Sequence, residues 1–377
     1  MNRKKIVFVL GKYPNPRLKK RINSAKNIGK VSIISWDMRS VNFDYIDEEV
    51  DFYPIKIKAN RTNPLKRILP TFKFIFKAEK KLFKLSPDIL HVENIDMLLV
   101  ASIYYLFKKN KPMIIYEVAD LHRLVIDNQK SIPGRFIKIV LRKLERCLCK
   151  KISILIITSE KFYDVYYSNF VDKNKVVFMP NMPDLKAFSN YKKKTDGKFT
   201  IGFIGNIRYK EQMKLLIDST SGKDVNVLFA GFSYDNEIEL YCSGKGYVKF
   251  YGKYNYDRDI SNIYGQVDCV YAVYDADNNN VKVALPNKLY ESIYCELPII
   301  VAKNTYLSEL VENMGVGVAV SHKSKKELEE AIEKLANDKD YYGKLVEACQ
   351  RYKKDIDYSK YDKKLLDKIN GILETRF

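Results

Sequence analysis

The feature that most restricts how this chain folds is an alternation of short, continuous apolar runs with amphipathic stretches of helical period. In the first half the runs fall at residues 6–10, 31–36, 89–92, 113–118, 154–158 and 176–179. A run with no polar face reads as a strand buried on both sides, and helices between such strands give a parallel sheet covered on both faces. The pattern halts at Pro180-Asn181-Met182-Pro183-Asp184 and the polar segment 190–197, a linker by composition. It resumes at 199–205 and continues through 225–230, 248–251, 269–273, 299–302 and 317–320. The expectation is an α/β protein of two doubly wound, Rossmann-like domains, residues 1–190 and 191–360. A helix in 361–377 should pack back on the first domain. Ligands of such folds bind just past the carboxyl ends of the strands, here in a cleft between the domains.

Cysteine usage and hydropathy narrow the compartment. The six cysteines form no C-x-x-C and only three histidines accompany them, which argues against a structural zinc site. Scattered cysteines in a large Lys-rich chain read as reduced, cytosolic and mostly buried. Met1-Asn2-Arg3-Lys4-Lys5 resembles the start of a signal peptide, yet the apolar run behind it ends after five residues, at Gly11. That run is better read as a first strand. The longest apolar stretch, 97–107, contains Ser102 and falls far short of the roughly 20 residues that cross a bilayer. The chain is expected to be cytoplasmic, with membrane contact only at the surface.

The residues just past the strands are the candidates for chemistry. Gly11 ends the first strand and would let a backbone approach a phosphate or sugar; a tight turn explains the same glycine equally well. Gly202-Phe203-Ile204-Gly205 lacks the third glycine and the acidic residue of a nicotinamide site. It leads into Arg208 and Lys210, two cations suited either to a diphosphate or to a solvated helix face. Further on, Pro286-Asn287-Lys288 opens a helix that carries Glu291. Lys288 suits an anion there, and Glu291 could accept hydrogen bonds from sugar hydroxyls, although this spacing also describes a surface ion pair. In the first domain Asp120 and His122 follow the strand 113–118. A histidine so placed can orient hydroxyls or move protons near neutral pH, and a structural role is as consistent for His122. For His91 the structural role is favoured. Asp275-Ala276-Asp277 has the form of a metal-holding D-x-D, but its Asn278-Asn279-Asn280 continuation reads as ordinary turn chemistry. No metal is assigned.

In sequence order, these segments resemble the retaining GT-B glycosyltransferases of glycosyltransferase family 4, in particular bacterial surface-polysaccharide enzymes. Pro87-Asp88-Ile89-Leu90-His91 is similar to the family's "PDIIHAH", and Thr158-Ser159-Glu160 to its "TSE" turn. Pro180-Asn181 with Asp184 and Phe188 is similar to its linker, and Ile201-Gly202-Phe203-Ile204-Gly205 to its "IGFIG". Val248, Phe250 and Gly252 followed by Tyr264, Asp268 and Val270 fit "V.F.G…Y..AD..V". Residues 286–301 resemble "P.K.YEA...G.PVI", the most specific stretch. The resemblance implies a GT-B fold and transfer of a sugar, with retention, from a nucleotide diphosphate donor such as a UDP- or GDP-sugar. The donor would lie on the second domain and the acceptor on the first. It further implies Arg208 and Lys210 on the diphosphate, Lys288 beside them with Asn287, and Glu291 on the ribose. Gly205 would lie at the donor, the Gly11 loop would approach it, and His122 with Asp120 would sit at the reacting sugar. No metal or other cofactor is called for, since fixed cations can stabilise the leaving diphosphate. Two features depart from the pattern. Val283 stands where the family carries a second Glu, leaving Asn278, Asn279 or Asn280 to meet the donor hexose. The spacing from Gly205 to Arg208 and Lys210 is also tighter than usual.

Charge supplies the last clue. With 66 Lys and Arg against 46 Asp and Glu the net charge is +20, which should seek phosphates on nucleic acid, lipid or substrate. From Lys58 to Lys84 nine cations face the single Glu79. As a helix, with Pro70 a possible break or start, this segment aligns Leu65, Ile68, Leu69, Phe72, Ile75, Phe76, Leu82 and Phe83 in one stripe. Residues 132–151 form a second basic amphipathic segment. The expectation is that the stripes pack on the sheet while the charged faces meet an anionic membrane on its cytoplasmic side, near a lipid-linked saccharide acceptor. Nucleic acid is not expected as a partner, because no module for it is visible. The rival readings are a basic nucleic-acid-binding α/β protein, a non-catalytic transferase-like scaffold and a GT-B epimerase.

Overall fold

The structure, a computed structural model, describes residues 3–38, 47–60, 64–122, 126–127, 131–194, 197–233 and 235–375. The chain divides into two compact units, Met1–Met179 with Lys360–Phe377, and Pro180–Ser359. The division falls earlier than residue 190. The reason is local: Phe188 packs its ring against Tyr256, Tyr264 and Tyr294 of the second unit, with centroids 6.4, 5.6 and 5.6 Å away.

The first unit runs β1 (Lys4–Leu10), α1 (Pro16–Lys26), β2 (Gly29–Asp37), β3 (Val50–Lys56), α2 (Pro64–Leu85), β4 (Ile89–Glu93), α3 (Asn94–Phe107), β5 (Met113–Val118), α4 (Ile132–Cys149), β6 (Ile154–Ile157), α5 (Lys161–Val165) and β7 (Val176–Phe178). All seven strands are parallel, in the order β3-β2-β1-β4-β5-β6-β7. The direction of succession reverses between β1 and β4, so the binding crevice of this unit belongs there. The sequence reading missed β3. That strand holds Pro54 and charged residues, which suit only the sheet edge it occupies. The C-terminal helix (Tyr358–Glu374) belongs to this unit through buried Leu365 and Ile369, and Asp362 accepts a hydrogen bond from Ser24 at 2.6 Å.

Helix α2 runs unbroken through Pro70, and the Thr71 hydroxyl donates to the Arg67 carbonyl at 2.8 Å. Its rotation differs from the expectation. Phe74 stacks on the buried Trp36 at 4.8 Å, and Ala78 and Leu82 are buried with it. Most of the stripe that should have packed on the sheet therefore faces outward: Ile68, Leu69, Phe72, Phe76 and Phe83 are exposed.

The second unit runs β8 (Phe199–Ile204), α6 (Lys210–Thr220), β9 (Val225–Ala230), α7 (Glu237–Tyr241), β10 (Val248–Gly252), α8 (Tyr256–Tyr264), β11 (Cys269–Ala272), α9 (Asn279–Val283), α10 (Asn287–Tyr294), β12 (Ile299–Ala302), α11 (Tyr306–Met314), β13 (Gly317–Val320), α12 (Lys325–Asn337) and α13 (Lys339–Lys353). Its six parallel strands follow the order β10-β9-β8-β11-β12-β13. The reversal lies between β8 and β11. Val227, Phe203, Tyr271 and Ile300 bury the sheet beneath α6 and α12 through Leu216, Ile217, Leu328 and Ile332. Each unit is thus a doubly wound α/β sheet of Rossmann type.

Candidate functional site

In the second unit the site grows from two glycines where β8 and β9 end. Gly205 has φ 141°, a conformation that suits glycine alone, and its N–H donates to the Ala230 carbonyl at 2.7 Å. A Cβ on Gly231 would lie 1.8 Å from the Gly205 carbonyl oxygen, so the two strand ends meet only because Gly231 lacks a side chain. A Cβ on Gly205 would in turn lie 3.1 Å from the Lys288 Nζ. The ammonium therefore sits directly beside the backbone at the β8/β11 switch point.

Lys288 is 8% exposed. Its Nζ donates to the Tyr274 hydroxyl at 2.8 Å and lies 4.4 Å from the centroid of Phe203. Among the described residues no carboxylate pairs with it. The start of α10 adds to the positive potential: Pro286 at its N-cap offers no capping side chain, and the first turn holds no acid. Unpaired backbone N–H groups and the helix dipole thus point the same way as the ammonium. Asn287, half-buried, is the first residue of that helix. Chemically these surroundings suit a group that carries negative charge close to backbone.

Glu291 is 4% exposed, and its partners were not visible in the sequence. Its carboxylate accepts from the Tyr256 hydroxyl at 2.7 Å and from the Tyr264 hydroxyl at 2.6 Å. Burial, then the Glu291 charge, push the Tyr264 phenol well above its ordinary range. These partners stand 35 and 27 positions away, and the only hint of them is the abundance of tyrosine, 28 in the chain. Glu291 therefore anchors α10 against α8, and only its remaining lone pairs are open to a ligand.

The two cations expected at 208 and 210 stand in different settings. Arg208 is exposed and makes no hydrogen bond or ion pair among the described residues. Lys210 is held by Asp235 at 2.7 Å and by Glu237 at the start of α7, so its charge is already neutralised. The carboxylates are the reason, and they lie 25 and 27 positions further along the chain. Asp275 and Asp277 gather with His322, with one ligand atom of each within 4.8 Å of the others, a set that could hold a divalent ion. Lys323 pairs with Asp277 at the same place. The Asn278 side chain caps α9 by accepting from the Asn280 N–H at 2.9 Å.

In the first unit, α1, β4 and β5 carry a buried ionic cluster that the sequence did not announce. Arg17 donates to Glu93 and lies 3.4 Å from Glu117, and Arg21 lies 3.4 Å from the same Glu117. Burial would raise the Glu117 carboxyl, but the two guanidinia outweigh it and hold it well below the usual carboxylate range. His91 stacks on Phe8 at 4.5 Å and hydrogen-bonds Glu117 at 2.8 Å, a structural histidine as favoured. Gly11 follows β1, and a Cβ there would meet nothing within 4 Å, so packing does not demand the glycine. Asp120 and His122 are exposed on either side of buried Leu121. Although solvent reaches the His122 ring, its partial desolvation lowers its pKa; Asp96 opposes this and Arg67 adds to it. Arg67 pairs with Asp96 at 2.9 Å, so these three groups form one electrostatic neighbourhood.

Residues 184–355 match the family Glycosyl transferases group 1. The chain is 26% identical over 250 residues to the succinoglycan biosynthesis protein ExoL of Rhizobium meliloti, covering 62% of this chain and 60% of that protein. It thus spans less than two thirds of that relative's length. In fold it is similar to sucrose-phosphate synthase from Thermosynechococcus elongatus, with a TM-score of 0.75 and 13% identity over 99% of this chain and 100% of that one. It is also similar to Anabaena HepE, solved in complex with UDP-glucose, with a TM-score of 0.72 and 15% identity over 98% and 100% of the two chains. At such identities the likeness speaks for the fold. The family match thus falls within the second unit, and both units have the Rossmann-like α/β fold that these solved structures share.

Proposed function

We propose that the protein transfers a sugar from a nucleoside diphosphate donor to a saccharide acceptor, with retention and without a metal, in the assembly of a surface polysaccharide. The observation that carries this reading is the Lys288 ammonium, buried beside Gly205 at the switch point and lacking a carboxylate partner among the described residues. Breaking the bond between the anomeric carbon and the β-phosphate oxygen leaves negative charge on the diphosphate. A fixed cation and the N-terminus of α10 stabilise that charge without reorganising. Exposed Arg208 serves the same phosphates from solvent, whereas Lys210 takes no part. The new bond forms between the anomeric carbon and an acceptor oxygen, whose proton must leave. His122, held below its ordinary pKa, is neutral at pH 7 and able to receive or relay it, with Asp120 beside it in sequence. Gly11 is free of packing demands and suits close approach of a ligand to the backbone. The likeness to HepE, which binds UDP-glucose, and to ExoL, a succinoglycan biosynthesis protein, favours a nucleotide-sugar donor and a polysaccharide product. The acceptor in this reading is lipid-linked, and the protein works on the cytoplasmic face of a membrane. No helix among the described residues is long and apolar enough to cross one.

The test is a panel of UDP-, GDP- and TDP-sugars with a lipid-linked acceptor, with and without EDTA, and the anomeric configuration of the product read by NMR. Transfer that survives EDTA and retains configuration is expected. Absence of transfer from every donor, together with absence of nucleotide binding, refutes the reading; loss with EDTA refutes its metal-free form.

A further inference from the structure

Helix α2 presents an apolar face that is left exposed among the described residues. Leu69, Phe72 and Phe76 are 73, 65 and 72% exposed, and Ile68 and Phe83 are also open. At 3.6 residues per turn these five side chains fall within an arc of about 100°. Along one border of that arc, within about a further 80°, run Lys66, Lys73, Lys77, Lys80 and Lys84. Lys73, Lys77, Lys80 and Lys84 make no hydrogen bond or ion pair among the described residues. The opposite side of the helix is the one that Phe74, Ala78 and Leu82 hold to the sheet. Helix α4, which like α2 packs against α3, repeats the arrangement with exposed Ile132, Phe136, Ile139 and Val140 beside Arg135 and Arg142.

We propose that α2 docks the protein on an anionic lipid surface by inserting Leu69, Phe72 and Phe76 into the headgroup and acyl boundary, while the bordering lysines meet lipid phosphates. Charge complementarity selects this occupant: four unpaired cations along an apolar edge fit an anionic interface, whereas an antiparallel pairing of two such faces would oppose lysine to lysine. The inference rests on the reading that the protein works at a membrane, and it names the residues that enter. It differs from attraction between a charged face and lipid alone, because apolar insertion is not screened by salt.

Sedimentation with vesicles of phosphatidylcholine holding about one third phosphatidylglycerol tests it. Wild type should bind and retain part of its binding at about 0.5 M NaCl, where charge is screened within a few ångströms. The F72S/F76S variant should lose at least about tenfold in partition, equivalent to about 1.4 kcal/mol, and bind no vesicles at high salt. Its thermal unfolding should be unchanged, since both residues are exposed. Replacing Lys73, Lys77, Lys80 and Lys84 with Gln should abolish the preference for anionic over neutral vesicles. If wild type binds but F72S/F76S binds equally well, insertion is refuted while the membrane reading stands. Absence of wild-type binding refutes both. A wild-type dimer in light scattering that F72S/F76S dissolves, without vesicle binding, assigns the face to a second copy and overturns the proposal.

Discussion

Lys288→Met removes one charge and leaves an unbranched stem of similar length packed on Phe203, so it isolates the ammonium from the packing. The magnitude follows from its setting. A unit charge about 4 Å from another, at an effective dielectric near 20, interacts by about 4 kcal/mol. Measured hydrogen bonds from charged donors contribute about 1.5–3 kcal/mol. Because Lys288 is 8% exposed, with its Nζ donating to the Tyr274 hydroxyl, most of its dehydration has already occurred before a ligand arrives. The loss on binding a nucleoside diphosphate should therefore be about 2–3 kcal/mol, roughly 30- to 150-fold in Kd. Isothermal titration of UDP, GDP and TDP measures it, with uridine as the control that lacks phosphates and should change less than about twofold. Thermal unfolding of the variant should lie within a few degrees of wild type. A folded K288M protein that binds UDP within about threefold of wild type would refute the assignment of the ammonium to the phosphates.

Other perturbations separate architecture from binding. Glu291→Ala strips the acceptor from two tyrosine hydroxyls, one of them fully buried, and should cost about 3 kcal/mol, or roughly 6–12 °C in Tm for a unit of this size. Glu291→Gln should recover part of that, and an unchanged Tm for the alanine variant would show that the tyrosines do not depend on Glu291. Gly231→Ala should be far more damaging than Gly205→Ala, more than about 3 kcal/mol, because its Cβ meets a backbone oxygen rather than the end of a flexible lysine. Comparing soluble yield and Tm of the two variants checks it, and the reverse order would contradict the strand-end packing. Burial pushes Glu79 up to about 7, only weakly opposed by the nearby Tyr104 backbone. The folded state therefore holds a proton that the unfolded chain releases near its ordinary pKa, and stability falls as pH rises from about 4.5 to about 7. Glu79→Gln should accordingly stabilise at pH 8 by about 1 kcal/mol, allowing for solvent screening at a half-buried group, and do little at pH 5. Denaturant unfolding at both values measures this, and an equal effect at the two would refute it.

How much of this was legible beforehand depends on the range of the interaction. The twelve strands read from apolar runs are all present, most of them because a strand buried on both faces must be apolar throughout its length. The edge strand β3 escaped, since an edge tolerates Pro54 and charges that erase the signal. Gly205 and His122 were singled out by position after strands, which the topology of a doubly wound sheet makes informative, and Lys288 and Glu291 by the helix they open and its family-like motif. Their state was not readable. Whether a lysine faces a phosphate or is already neutralised depends on carboxylates far away in sequence, as Lys210 with Asp235 and Glu237 shows.

The sequence by itself determined two parallel α/β units, a linker after Met179 and a basic first unit, because periodicity, turn chemistry and charge are written in neighbouring residues. Only the tertiary structure decided which side of α2 is core. The decisive contact is the stack of Phe74 on Trp36, from a strand 38 positions earlier, and it turns the remaining apolar stripe outward. A helical wheel fixes which side chains share a face, but the partner across the interface fixes which face is buried.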